Sequence, residues 1–153
     1  MFSLTSQPID IQKLRAQVEN PACGGFVSFE GRVRNRHNGV EVLRMEYEVY
    51  PKLALTEGNR ILKQIKEEFG LGAIQCVHRY GPLQIGDIAV WVAAIAPHRG
   101  ECFEAVAKAM SQIKHRLPIW KHEFYVDGTD AWVQCSHRQQ ELNRNENAAT
   151  VIF

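Results

Sequence analysis

The stretch from Ile88 to Ala96 (IAVWVAAIA) constrains this chain more than any other feature, because it is apolar on both alternating faces and carries no charge. It is far shorter than the roughly 18 to 20 residues of a membrane-spanning helix, and Asp87 and Pro97 bound it. It therefore predicts a central strand buried on both sides. Such a strand needs a covering layer above and below its sheet, which the rest of the chain must provide.

Three segments have the spacing to do so. Pro8 to Asn20 carries Ile11, Leu14 and Val18 at helical intervals, with Ser6 as cap and Pro21 as stop. Leu53 to Phe69 presents Ile61, Leu62, Ile65 and Phe69 on one face and closes at Gly70. Phe103 to Leu117 is the most strongly patterned, with Phe103, Val106, Ala107, Met110, Ile113 and Leu117 on one side and Pro118 at its end. Strand alternation appears from Phe26 to Val33 and again where Leu43, Met45, Tyr47 and Val49 face away from Arg44, Glu46 and Glu48. Ala73 to Arg79 reads as a further strand, and Ile119 to Val126 with Ala131 to Cys135 as a hairpin. Arg34 to Gly39 reads as an exposed basic loop and Tyr80 to Asp87 as a Gly/Pro loop. The order predicts an α+β fold, helices packed on a mostly antiparallel sheet. A single domain is expected over residues 1–137, followed by a loose or docking tail over 138–153.

With 153 residues, 45% hydrophobic and 23% charged, the chain has the composition of one globular domain. Its 18 basic and 17 acidic residues give a net charge of +1, so no overall field grips nucleic acid or an anionic membrane. RNA binding would need an extended basic face with exposed aromatics, whereas Trp91, Trp120 and Trp132 fall in strand-like segments as core or interface residues. Met1 to Asp10 lacks the basic and apolar regions of a signal peptide, and a soluble cytoplasmic protein is expected. Cys23, Cys76, Cys102 and Cys135 make no C-x-x-C pair and read as reduced, packing thiols. Neither a metal site nor a resident cofactor is expected.

Lys114 stands out because it projects only about 20° from Phe103, inside the apolar stripe of its own helix. One account is a stem lying over apolar surface with its ammonium reaching water near the helix end. The other is a partly desolvated amine suited to acid–base work or to acyl chemistry. Lys121 shares an alternation face with Ile119, Glu123 and Tyr125, and read alone is a solvated strand lysine paired to Glu123 or another carboxylate. Pro97-His98-Arg99-Gly100-Glu101 lies between the buried strand and a helix start, where free backbone N–H groups already favour an anion. His98 and Arg99 there make a phosphate or carboxylate seat. Arg34, Arg36 and His37 form a second basic cluster in the first loop. No P-loop, G-x-G-x-x-G, H-E-x-x-H or serine-triad order is present.

Several blocks together resemble one family: Gly25 to Asn35 (GFVSFEGRVRN), His78 to Asp87 (HRYGPLQIGD), Ala96 to Arg99 with the following helix, Lys114 to Lys121 (KHRLPIWK), and Trp132-Val133. In this order and spacing the chain is similar to the large, catalytic subunit of molybdopterin synthase. The resemblance implies a homodimer core of a heterotetramer. Each half takes the C-terminal Gly-Gly tail of a small ubiquitin-like sulfur-carrier subunit, charged as a thiocarboxylate. Two sulfurs then pass in turn to cyclic pyranopterin monophosphate, giving the dithiolene of molybdopterin. By the same resemblance Lys114 and Lys121 are the catalytic lysines, while Arg34, His98, Arg99 and Met110 bind substrate. The family often carries an arginine four residues after the Trp that matches Trp132, reaching across the dimer. Here Ser136 stands at that position, with His137 or Arg138 as substitutes after a small register shift. The competing reading is a non-catalytic module that binds a phosphopterin, a nucleotide or a ubiquitin-like tail. The lysine pair separates the two, since a phosphate binder has no need of an amine in an apolar stripe.

Overall fold

The computed structural model describes residues 1–133, which form two sheets and three helices. β7 (Ile88–Ala96) is the strand that the apolar run predicts. It lies between β5 (Ala73–Arg79) and β2 (Gly25–Arg32), antiparallel to both, and β1 (Phe2–Thr5) joins the outer edge of β5 in parallel. α2 (Pro51–Glu68) and α3 (Arg99–Arg116) cover one face, packing Ile61, Leu62, Ile65, Cys102, Ala105 and Ile113 against Val90, Val92 and Ala94. On the other face Trp91, Ala93 and Ile95 meet Val18 and the side chains of α1 (Ile11–Ala16). Each large aliphatic side chain buried this way contributes about 1.5–3 kcal/mol, so the two-sided burial of β7 organises the molecule.

β4 (Val40–Val49) is the middle of the second sheet, flanked by β6 (Gly81–Gln84) and β8 (Ile119–Tyr125). β9 (Asp130–Val133) extends it beyond β8, and the short β3 (Arg36–His37) folds back on the start of β4. All these pairings are antiparallel, and with β1–β5 as the one parallel pair the described residues carry the expected α+β architecture. None of the described helices is long and apolar enough to cross a membrane.

The structure corrects several local expectations. The basic loop and the Gly/Pro loop each contain a strand, β3 and β6, and the N-terminus adds β1. Asn38 and Gly39, with φ of 48° and 84°, close β3 onto β4 as a two-residue turn that only such residues tolerate. Asp10, not Ser6, caps α1, its carboxylate accepting from the Lys13 N–H at 3.0 Å. A register shift between Val42 and Arg44 turns Leu43 outward and Val42 inward, so the buried face of β4 is Val42, Met45 and Tyr47. On α3 the buried row is Cys102, Ala105, Val106, Ala109 and Ile113, whereas Phe103 is 61% exposed. Small Ala105 and Ala109 let that row approach the sheet closely, which the neighbouring row through Phe103 could not do. Trp91 is core, but Trp120 and Trp132 stand exposed on the second sheet. Cys76 and Cys102 are buried thiols, as expected. Cys135, the residues Ser136, His137 and Arg138, and the tail 138–153 lie outside the described residues.

Candidate active site

The chain leaves α3 through Leu117 and Pro118 and enters β8, and the two lysines flank that junction. Lys114 is in the last turn of α3, and Lys121 is the third residue of β8. β8 pairs with β4 so that Lys121 stands directly opposite Tyr47, and directly opposed residues project from the same side of a sheet. The Tyr47 ring meets the His78 ring of β5 edge-on, with centroids 5.0 Å apart. His78 in turn feels the charge of Lys114. Tyr47 and His78 thus connect the strand lysine to the helix lysine.

Lys121 is paired with Glu123 as its sequence suggests, but it is not a solvated strand lysine. Its side chain is 12% exposed, and Nζ lies 2.7 Å from Glu123 Oε1. Glu123 is itself buried, at 1% exposure, and its other oxygen accepts from His37 Nδ1 at 2.7 Å and from the Tyr125 hydroxyl at 3.1 Å. Burial pushes the Glu123 carboxyl up, and the hydrogen bonds and charges of Lys121 and His37 more than offset it, so the group sits below its ordinary value. Burial and the Glu123 carboxylate push the Tyr125 hydroxyl up. Since His37 closes the loop that begins at Arg34, the same carboxylate ties that exposed arginine to the lysine site.

Lys114 is not embedded in the buried face of its helix. It lies on the adjacent row with exposed Phe103 and Ala107 and half-buried Met110, a row that the described chain leaves uncovered. Its stem therefore has apolar neighbours one turn back while its amine is open to a ligand.

His98 and Arg99 form the start of α3, exposed, with no side-chain cap. Gly25 permits the close approach of β2 there, since a Cβ on it would fall 2.8 Å from the His98 carbonyl oxygen. His98 and Arg99 thus stand where the sequence places them, at the helix start, and fifteen residues of helix separate Arg99 from Lys114, a rise of about 22 Å. Within one chain Met110 and Lys114 share the uncovered row of α3 and Lys121 stands opposite Tyr47 on β4, whereas His98 and Arg99 lie at the far end of α3.

Glu123, Tyr47 and His78 are the residues that sequence reasoning did not single out for the site. Glu123 had a signal: an acidic residue on the same inward alternation face as Lys121. His78 is buried, and its Nδ1–H donates to the Arg79 carbonyl at 2.9 Å. Burial, with the Lys114 charge added and the Arg79 carbonyl opposing, pushes its imidazole down to about 4. In the unfolded chain it titrates near 6.5, so the stability it contributes is complete above 6.5 and declines as pH falls toward 4. Between pH 6.5 and 4.5 urea denaturation is expected to show a loss of about 2 kcal/mol that His78→Gln removes. Equal losses in the two proteins would contradict this.

The described residues form an α+β domain with Lys121 held on a buried carboxylate, Tyr47 packed on His78 beside it, and His98 and Arg99 at the start of α3. Residues 4–116 match the MoaE protein family. The molybdopterin synthase catalytic subunit 1 of Mycobacterium tuberculosis is 38% identical over 85% of this chain and 88% of its own. That of Staphylococcus carnosus is 34% identical over 95% and 98%. Among solved structures, molybdopterin synthase from Staphylococcus aureus superposes with a TM-score of 0.80 at 37% identity, covering 85% of this chain and 94% of that one. The chain belongs to the MoaE family, whose members in molybdenum cofactor biosynthesis carry the name molybdopterin synthase catalytic subunit.

Proposed function

We propose that the chain transfers sulfur from the C-terminal thiocarboxylate of a small ubiquitin-like carrier subunit to cyclic pyranopterin monophosphate, twice per molybdopterin. The observation that carries this reading is Lys121 held on a buried carboxylate opposite Tyr47, which packs on the His78 ring that feels the charge of the exposed Lys114. A thiocarboxylate tail threaded along the uncovered row of Phe103, Ala107 and Met110 ends at Lys114. In each transfer the carrier sulfur forms a new C–S bond to a pterin carbon as a C–O bond at that carbon breaks and its oxygen takes up a proton, and water then takes the carrier acyl group from sulfur, regenerating a carboxylate. Lys114 and Lys121 stabilise the negative charge that develops and deliver or accept the protons. The sulfur arrives on the partner, so the buried thiols of Cys76 and Cys102 have no part in the chemistry.

Arg34, His98, Arg99 and Met110 bind the pterin in this reading. Because about 22 Å of helix separates Arg99 from Lys114, and a pterin monophosphate is far shorter, the phosphate seat and the lysines that serve one substrate come from two copies of the chain. A homodimer core with a carrier subunit at each end satisfies that requirement.

The test mixes the purified protein with a thiocarboxylated carrier and cyclic pyranopterin monophosphate and assays molybdopterin. Product formation is expected; carrier and pterin binding without product would favour the non-catalytic module. Arg99→Ala is expected to raise the pterin KM by roughly ten- to a hundred-fold with kcat little changed, since a charge-assisted phosphate contact serves ground and transition states alike. A lowered kcat at constant KM would contradict that assignment.

A further inference from the structure

The loop from Arg34 to Val40 carries the arginine that the proposed chemistry gives to the substrate, and every residue in it except His37 is exposed. Arg34 and Arg36 have no acidic partner among the described residues. Backbone bonds hold the loop at its two ends, Val33 to Gly86 and Asp87 on one side and the Glu41 carbonyl to the Val126 N–H on the other. Between those ends His37 alone turns inward, and its Nδ1 lies 2.7 Å from Glu123 Oε2. Glu123 Oε1 is occupied by Lys121, and Oε2 also accepts from the Tyr125 hydroxyl. An ionised carboxylate only accepts, so Nδ1 carries the proton in this contact. The residue type suits the position. An imidazole presents one N–H on that side and takes one oxygen, whereas an arginine would span both and compete with Lys121.

We propose that His37 is a positioning residue for Arg34: by donating to Glu123 it latches the loop onto the carboxylate that holds Lys121, and so sets the arginine that meets the anionic substrate relative to that lysine. The inference rests on the sulfur-transfer reading for the identity of the substrate and on the hydrogen bond for the latch. Its consequence falls on binding. With the latch closed, Arg34 is ordered before the substrate arrives; without it, each substrate molecule must order the loop itself, and that cost is subtracted from affinity. His37 touches no reacting atom, and Lys121 keeps its own bond to Oε1, so turnover of bound substrate changes much less.

The experiment has two arms. In the first, equilibrium titration with cyclic pyranopterin monophosphate and steady-state sulfur transfer are run on wild type, His37→Leu, His37→Asn, Arg34→Ala and the Arg34→Ala/His37→Leu double variant. Glu123 keeps two donors in the Leu variant, so the fold stands. Leu is expected to raise the pterin Kd and KM roughly five- to thirtyfold with kcat within about threefold, and Asn, whose amide nitrogen donates from the place of Nδ1, to stay within about threefold of wild type. In the Arg34→Ala background Leu is expected to add less than about twofold, because the latch has no arginine left to position. Unchanged binding in Leu, equal losses in Leu and Asn, or the full further loss in the double variant would overturn the proposal. In the second arm, ¹⁵N NMR of the isolated protein reads the His37 ring. A protonated Nδ1 whose resonance moves in Glu123→Gln is expected; an unprotonated Nδ1, or a resonance indifferent to Glu123→Gln, would overturn the contact. Absence of product from wild type with the titrations as expected would remove the sulfur-transfer reading and leave the latch standing.

Discussion

Lys114→Ala is expected to lose sulfur transfer by roughly 10²- to 10⁴-fold while remaining folded. The two halves of this expectation come from the same observation. Lys114 is exposed at the end of α3, outside the row that packs on the sheet, so truncating it removes neither core volume nor a partnered buried charge. Exposed substitutions of that kind stay within about 0.5 kcal/mol of the parent. The amine is nonetheless the open group that the geometry offers to an incoming anion, with Lys121 committed to Glu123. Normal turnover in the variant would remove the reading of this residue, and an unfolded variant would remove the reading of its surroundings. Carrier binding measured separately is expected to weaken much less than kcat falls.

Glu123→Ala is expected to fail in the opposite way, through the fold first. Its carboxylate serves three donors at once, and truncation leaves a mostly buried lysine, the His37 ring and the Tyr125 hydroxyl without an acceptor. Breaking one side of a buried ion pair costs about 3–5 kcal/mol, a large share of the stability of a domain this size. Urea denaturation should show that loss, and Glu123→Gln, which keeps shape and one acceptor, should recover part of it. A midpoint unchanged in Glu123→Ala would show that the cluster contributes nothing net. Because the carboxyl sits below its ordinary value, its contribution is complete above that value and is lost as pH falls through the depressed one. What activity survives in the Ala variant is expected to show a lower kcat, from Lys121, and a higher pterin KM, from release of the Arg34 loop.

What could be read in advance follows from how local each signal is. β7 was legible to the residue because a strand buried on both faces writes itself as an uninterrupted apolar run. β5 was legible to the residue as well and α2 nearly so, for similar reasons of burial. β6 was hidden because Gly81 and Pro82 read as loop, and its pairing with β4 is set by the rest of the sheet. The β3 hairpin did have a local signal, Asn38-Gly39, overshadowed by the surrounding basic residues. Leu43 was misplaced because a bulge shifts alternation by one residue, which no period-2 pattern reveals. α3 offers two adjacent apolar rows, and only the sheet against which it packs decides which is buried. Lys114 was therefore singled out for a burial it does not have, and its interest survives because the row it occupies remains open. Glu123, Tyr47 and His78 join the lysine site through strand pairing and helix docking over long sequence separations, which a linear reading does not supply.

α3 holds its two functional ends at a fixed distance, and this has a genetic consequence. If each substrate is served by the lysines of one copy and the phosphate seat of the other, lesions at the two ends belong to different sites in a mixed pair. A dimer of one Lys114→Ala chain with one Arg99→Ala chain contains one site bearing both lesions and one bearing neither. Two alleles that are each defective alone would then complement when expressed together, each mixed dimer keeping about half the activity of the undamaged dimer and random pairing giving about a quarter in total.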